Sequence, residues 1–189
     1  IAALTKNKLK PLTFKARIPT KIKIEPDNHK DILDVVVEDF KLCPRYLGVA
    51  LDNIRVEPSP FWLSQRLEPL GVRPVNNIVD LTNYVMLEFG QPMHAFDLNK
   101  VLNKKLFESI AKIVVRKTRR GERIVTLDKK TRILESEMLI IADSESPIAL
   151  AGIMGGINSE IDENSKVIIL ESANFNPLNI RQTSAKLGL

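Results

Sequence analysis

Short apolar runs separated by polar turns dominate the chain from about residue 34 onward. Runs of four to nine apolar-rich residues that contain Val and Ile are typical of strands with at least one buried face. They predict strands at 35–37, 48–56, 112–117, 138–142 and 167–170. Two further runs, 123–127 and 131–134, flank Asp128-Lys129-Lys130 and predict a hairpin.

Helical periodicity replaces this pattern in three places. Ser59 followed by Pro60 predicts a helix start, with Ser59 as the N-cap and Pro60 at the first helical position. Apolar residues recur at helical spacing over 76–89, and Gly90 is expected to end that helix. Asn176-Pro177 predicts a last helix in the same way. Because strands and helices do not alternate strictly, the pattern predicts an α+β fold with largely antiparallel sheets.

The charged residues are distributed unevenly along the chain. The 189 residues carry a formal net charge of +5, but residues 1–30 hold eight basic and two acidic side chains. The remaining 159 residues hold 20 basic and 21 acidic groups, so the basic excess lies entirely in the leading segment. We therefore predict that residues 1–34 form a basic linker or the end of a preceding domain. The Ile at position 1 and the abrupt end at Leu189 lead us to expect a piece of a longer protein.

Composition excludes several kinds of site. A single cysteine, Cys43, cannot form an internal disulfide, which favours a reducing, cytoplasmic compartment. With only two histidines beside it, a zinc site built from four Cys and His ligands is excluded, and we expect no metal. The apolar run 148–157 is far shorter than the ~20 residues of a membrane helix. The nucleotide-binding glycine motifs and the G-x-S-x-G nucleophile motif are absent.

Uncharged polar residues concentrate on the predicted helix 76–89. Asn76, Asp80 and Asn83 share one face, Thr82 lies beside them, and His94 follows in what we interpret as a loop. Such a stripe is either the solvated side of the helix or part of a pocket that binds a polar ligand. The amides, hydroxyl and single carboxylate are poor helix formers, which favours the pocket as much as the solvated face.

Two features later in the chain also have both a structural and a functional interpretation. Glu171 ends the apolar run 167–170, where an acid is either a charge at the strand's rim or a hydrogen-bond acceptor in a pocket. Gly152, Gly155 and Gly156 either allow backbone N–H groups to approach a ligand or form a bulge or tight turn.

Several sequence motifs of this chain together closely resemble those of one protein family. The resemblance covers about residues 35–189 and is to the central editing domain of the bacterial-type phenylalanyl-tRNA synthetase beta subunit. It rests on Leu42-Cys43-Pro44-Arg45-Tyr46, on RPVNNIVDLTNYVMLEFGQPMHAFD from Arg73 to Asp97, on ALAGIMGG from Ala149 to Gly156, and on LESANF from Leu170 to Phe175.

The resemblance implies a three-layer mixed helix and sheet domain with a β-sandwich-like core. It implies a cytoplasmic α2β2 enzyme that charges tRNA(Phe) with phenylalanine, using ATP and magnesium at a site in the alpha subunit. The present domain would need no cofactor and would hydrolyse tRNA(Phe) mischarged with tyrosine, contacting the aminoacylated 3′ end. The alternative is a non-catalytic module that positions RNA or subunits. The family continues with a further Thr-Asp-Ala segment, so the resemblance also implies truncation at the C-terminal end.

The resemblance also implies roles for six residues. Glu171 would accept the tyrosine hydroxyl, and Ala151 with Gly152 would shape the ring pocket. Thr82 and Asn83 would hold the aminoacyl group or the tRNA terminus. His94 would lie near the ester and orient the attacking water or the terminal ribose.

Overall fold

The computed structural model describes residues 32–102 and 110–189, so most of the predicted linker at 1–34 lies outside the described residues. Ten strands and four α-helices form within these ranges. The strands are β1 (Leu33–Val37), β2 (Arg45–Leu51), β3 (Met93–Asp97), β4 (Ala111–Lys117), β5 (Arg123–Val125), β6 (Thr131–Ile133), β7 (Leu139–Ala142), β8 (Pro147–Leu150), β9 (Met154–Gly155) and β10 (Ile168–Asn174). The helices are α1 (Phe61–Leu67), α2 (Asn77–Phe89), α3 (Leu98–Val101) and α4 (Pro177–Leu187).

The strands form two main sheets and a small hairpin. The larger sheet has the order β1-β4-β7-β8-β9, in which β1 and β4 run parallel and the other neighbours run antiparallel. The smaller sheet is antiparallel and has the order β2-β10-β3. The predicted hairpin forms as β5 and β6. Strands β7 and β8 are buried at every position, which explains why they appear in the sequence as continuous apolar runs.

The two main sheets and α2 make three layers. The inner face of the smaller sheet contributes Phe96 and Ile169 to the main core, where Ile113, Val115 and Ile141 of the larger sheet also lie. The outer face contributes Ala95 and Ile168 to a second core, against which Ile78 of α2 packs. Alternate residues of a strand point to opposite faces, so β10 and β3 contribute to both cores, whereas Leu47 and Val49 on the outer face of β2 are exposed. The predicted three-layer α+β fold is confirmed.

Helix ends follow local sequence signals, with one exception. Asn76 caps α2 by accepting from the N–H groups of Ile78 and Val79, and Asn176 caps α4 in the same way. The prediction for Ser59 is wrong: α1 begins at Phe61, and Pro60 occupies the N-cap position without a side-chain bond. The Ser59 hydroxyl instead donates to the carboxylate of Asp80, which is fully buried and therefore needs donors.

Strand ends differ more from the sequence prediction. Strand β2 covers Arg45–Leu51 and not 48–56, because its register is set by pairing with β10, from Arg45 opposite Asn174 to Leu51 opposite Ile168. The expected loop around His94 is also wrong. His94 lies on β3, where it pairs with β10 directly opposite Glu171.

Candidate functional site

The site is built around the centre of the smaller sheet. Glu171, at the middle of β10, lies opposite Gly48 on β2 and opposite His94 on β3. Residues paired directly across antiparallel strands point to the same face, so all three face the larger sheet. On the β2 side of Glu171, a Cβ atom at Gly48 would lie 3.3 Å from the side chains of Leu33 and Val35, so β1 packs closely against this glycine. On the β3 side lies the imidazole of His94.

A cavity of about 1120 Å³ opens next to this row of residues. Its walls include Glu171 and His94 on the smaller sheet and Gly152 in the turn after β8. Helix α4 contributes Ile180 and Arg181. The volume exceeds the ~300–1,000 Å³ that is typical of a small-molecule pocket, so the cavity is large enough for a ligand of that class.

Glu171 is a buried carboxyl group with one protein partner. Its residue is only 6% exposed, and Oε2 accepts a hydrogen bond of 3.0 Å from the phenol of Tyr46. Burial raises the pKa of Glu171 to about 7, and the Tyr46 hydrogen bond acts in the opposite direction. Within residues 32–102 and 110–189, Oε1 has no hydrogen-bond partner, so it is the atom available to a ligand in the cavity.

His94 is held as a neutral imidazole. Burial lowers its pKa to about 4, so the ring carries no charge near neutral pH. The ring packs edge-on against Phe96, with 4.6 Å between ring centroids. A Cβ atom built at Gly155 would lie 2.8 Å from Nε2 of His94, so a glycine is required at that position for the ring to fit. A neutral imidazole can hold a water molecule or a hydroxyl group at either nitrogen.

The turn between β8 and β9 forms another wall of the cavity. Gly152 has φ +65°, a left-handed conformation that L side chains rarely adopt, and an added Cβ would lie 3.1 Å from the Phe175 ring. The preceding Ala151 is fully buried, and its two neighbours in the chain, Leu150 and Gly152, both line the cavity. The tight turn therefore brings backbone, without side-chain bulk, to the cavity wall.

Three predicted site residues, Ala151, Thr82 and Asn83, lie outside the cavity lining. Thr82 and Asn83 are on α2, and the Thr82 hydroxyl donates to the carbonyl of Val79 at 2.7 Å. They precede the lining residue Met86 by four and three residues, so they share a helix face with it and lie about one turn away. The proposed roles of Thr82 and Asn83 remain predictions.

The other two residues of the polar stripe, Asn76 and Asp80, stabilise the fold. Asn76 caps the helix, and Asp80 accepts from the Ser59 hydroxyl and from the backbone N–H of Val75. These contacts attach the segment before α2 to its first turn. Neither of the two interpretations left open for the stripe, a solvated face or a pocket, describes Asn76 and Asp80, because both side chains have partners within the protein.

Sequence reasoning missed Tyr46 as a member of the site. The residue appeared only within a family motif, and nothing local indicates a partner 125 residues away. Two arginines, Arg45 and Arg181, were also missed; both are exposed and line the cavity. Cys43 is fully buried, and burial followed by the nearby Glu171 charge raises its pKa to about 11, which argues against a nucleophilic role.

Comparison with known proteins identifies the family. The profile of the B3/4 domain family matches residues 42–189. The chain belongs to the B3/4 domain family. It is 48% identical over all 189 residues to the phenylalanine–tRNA ligase beta subunit of Carboxydothermus hydrogenoformans and covers 22% of that protein. It is 44% identical over 92% of its length to the beta subunit of Aquifex aeolicus, of which it covers 21%.

These relatives confirm the resemblance that the motifs indicated. The chain spans about a fifth of the length of the curated relatives that it matches. The fold also resembles the crystal structure of an N-terminal fragment of the phenylalanyl-tRNA synthetase beta subunit from Pyrococcus horikoshii. That match has a TM-score of 0.53 at 12% identity and covers 83% of this B3/4 chain and 49% of the other chain. Among the helices that the structure describes, none is long and apolar enough to cross a membrane.

Proposed function

We propose that this B3/4 chain is part of a phenylalanine–tRNA ligase beta subunit and that its cavity hydrolyses tyrosyl-tRNA(Phe). The observation that supports the proposal most directly is the carboxyl group of Glu171, which is buried at the cavity and has one oxygen, Oε1, without a hydrogen-bond partner among the residues that the structure describes. The names of the relatives supply the ligase and its amino acid.

The site would select tyrosine because a buried hydrogen-bond acceptor is unfavourable unless a donor pairs with it. A tyrosine ring in the cavity donates its O–H to Oε1 of Glu171, whereas a phenylalanine ring leaves that oxygen buried and unpaired. An unsatisfied buried polar group costs ~1–3 kcal/mol, which corresponds to about 5- to 150-fold preference for tyrosine. The site that attaches phenylalanine to tRNA cannot exclude tyrosine efficiently, since an apolar pocket rejects an added hydroxyl only weakly.

Hydrolysis of the ester requires a water molecule held near the carbonyl carbon. The neutral ring of His94 is suited to orient that water or the terminal ribose hydroxyl. Backbone groups at Ala151 and Gly152 are suited to shape the ring pocket. Positioning of the water alone is an effective source of acceleration, so no covalent intermediate is invoked.

The tRNA end would enter past the rim of the cavity. Arg45 and Arg181 are cations suited to the phosphates of the terminal nucleotides, and Thr82 with Asn83 would contact the terminus beyond the cavity wall. The ligase reaction, with its ATP and magnesium, would take place in the alpha subunit of an α2β2 tetramer in the cytoplasm.

Deacylation of purified aminoacyl-tRNA by the complete enzyme that contains this chain tests the proposal. The wild-type enzyme should release tyrosine from tyrosyl-tRNA(Phe) at least fivefold faster than phenylalanine from phenylalanyl-tRNA(Phe). Glu171→Ala should remove that difference, and His94→Ala should slow both reactions. Glu145→Ala, at an exposed acid in the turn between β7 and β8, is the matched control and should behave like the wild type.

The alternative function makes a different prediction with the same variants. A module that only positions RNA or subunits would show no deacylation that depends on Glu171 or His94. Loss of tRNA binding or of subunit assembly in those variants, with unchanged deacylation, would favour the positioning module and rule out the hydrolase.

A further inference from the structure

The phenol of Tyr46 contacts Glu171 diagonally across two neighbouring strands of the smaller sheet. Tyr46 on β2 pairs with Ala173, and Glu171 is the next residue of β10 on the same face, so the contact is diagonal. Large side chains can bridge such a diagonal. Gly48 lies directly opposite Glu171, and a Cβ atom there would be in ordinary van der Waals contact with the Tyr46 ring at 3.7 Å.

The hydrogen bond between the Tyr46 hydroxyl and Glu171 is buried. Tyr46 packs against the main core, and burial followed by the charge of Glu171 raises the pKa of its phenol well above 10. The phenol therefore keeps its proton at physiological pH. When Glu171 is ionised, its carboxylate can only accept, so the phenol donates to Oε2 and Oε1 is the acceptor that remains for a ligand.

We propose that Tyr46 is a positioning residue for substrate selection: by holding Oε2, it makes Oε1 of Glu171 the single atom that reads the ring hydroxyl. This inference rests on the proposed function of the cavity. Selection of tyrosine is then strongest when Glu171 is ionised, because a carboxylate oxygen accepts a charge-assisted hydrogen bond that is stronger than a bond between neutral groups. Tyr46 favours the ionised form by its hydrogen bond.

Three titratable groups face Glu171 from the elements packed around it. Tyr46 and Cys43 lie on β2 and just before it, and His94 lies on β3. Burial keeps the thiol and the imidazole uncharged near neutral pH, since the pKa is about 11 for Cys43 and about 4 for His94. Exposed Arg45 also lines the cavity. Tyr46 is thus the hydrogen-bonded neighbour that favours the ionised form of Glu171 against the opposing effect of burial.

Tyr46→Phe in the complete enzyme removes the hydroxyl and keeps the ring. The ratio of tyrosyl-tRNA to phenylalanyl-tRNA deacylation is measured between about pH 6 and pH 9, after subtraction of the spontaneous ester hydrolysis. We expect the ratio at pH 7 to fall about fivefold or more and the midpoint of its pH profile to move upward. The value of kcat/KM should fall for tyrosyl-tRNA and stay near that of wild type for phenylalanyl-tRNA.

Tyr84→Phe is the matched control. The Tyr84 hydroxyl accepts from Arg66 on α1, and the residue lies outside the cavity lining, so the ratio and its midpoint should remain those of wild type. Equal slowing of both substrates by Tyr46→Phe with an unchanged midpoint would mean a purely structural role and would overturn the inference. Absence of a tyrosine preference in the wild-type enzyme would overturn the proposed function instead.

Two further variants keep the test decisive if Tyr46→Phe folds poorly. In a Glu171→Gln enzyme, whose side chain does not titrate, adding Tyr46→Phe should change the ratio less than it does in the wild type. Site-specific 3-fluorotyrosine at position 46 is a stronger donor of nearly the same size and should move the midpoint downward. An unchanged midpoint with 3-fluorotyrosine, or additive effects in the double variant, would refute the positioning role.

Discussion

Replacement of the buried acid should change how the stability of the protein depends on pH. In Glu171→Gln the side chain keeps its size and can still accept the Tyr46 hydrogen bond, but it no longer ionises. The wild-type chain must hold a carboxyl group that is 6% exposed, whose pKa burial raises from 4.5 to about 7. The site therefore carries a pH-dependent penalty that the variant lacks.

The sign and size of that penalty follow from the two pKa values. Below pH 4.5 the carboxyl group is protonated in both the folded and the unfolded chain. Between pH 4.5 and about 7 the unfolded chain releases the proton while the folded chain retains it, so the free energy of unfolding falls as pH rises. At 1.36 kcal/mol per pKa unit, the wild type loses about 3 kcal/mol over this range.

Urea unfolding of the wild-type chain and of Glu171→Gln, followed by circular dichroism at about pH 4.5 and about pH 8.5, measures this loss. The titration of His94 is common to both proteins and cancels in the comparison. We expect the variant to gain about 3 kcal/mol over the wild type as pH is raised between the two conditions. A difference between the two proteins that stays constant with pH would refute the claim that Glu171 is buried and uncharged below neutrality.

Three further substitutions test other parts of the structure. Gly152→Ala should destabilise the chain by ~1–2 kcal/mol in urea unfolding, because φ is positive there and the methyl group presses on Phe175, and it should slow deacylation. Asp80→Ala should lower the free energy of unfolding by ~1–3 kcal/mol and leave the ratio of deacylation rates unchanged, because it removes the buried acceptor of Ser59. Asn76→Ala should cost ~1 kcal/mol through loss of the N-cap of α2, and an effect below a few tenths would contradict the capping geometry.

Features specified by neighbouring residues could be predicted from the sequence. The caps Asn76 and Asn176 depend on contacts within three residues, so their signals are local. Buried β7 was recognisable from its continuous apolar character, whereas β8 at Pro147–Leu150 was not predicted as a strand. The placement of Glu171 and Gly152 at one cavity followed only from the family resemblance.

Features that depend on pairing between distant strands could not be predicted. His94 follows Gln91 and Pro92, which favour a turn, and only its pairing with β10 makes it a strand residue. Asp80 finds its donor 21 residues away at Ser59. The bond from Tyr46 to Glu171 needs the register of β2 against β10, which no local pattern reveals.

The order of strands in the smaller sheet has a consequence for synthesis on the ribosome. Strand β10 lies between β2 and β3 but is made after both, and β2 and β3 do not pair with each other. About 77 residues separate the end of β3 at Asp97 from the end of β10 at Asn174, which at ~5–20 residues per second takes about 4 to 15 s. During that interval the strand edges that will pair with β10 lack their partner, and an unpaired strand edge is a site at which another chain can pair.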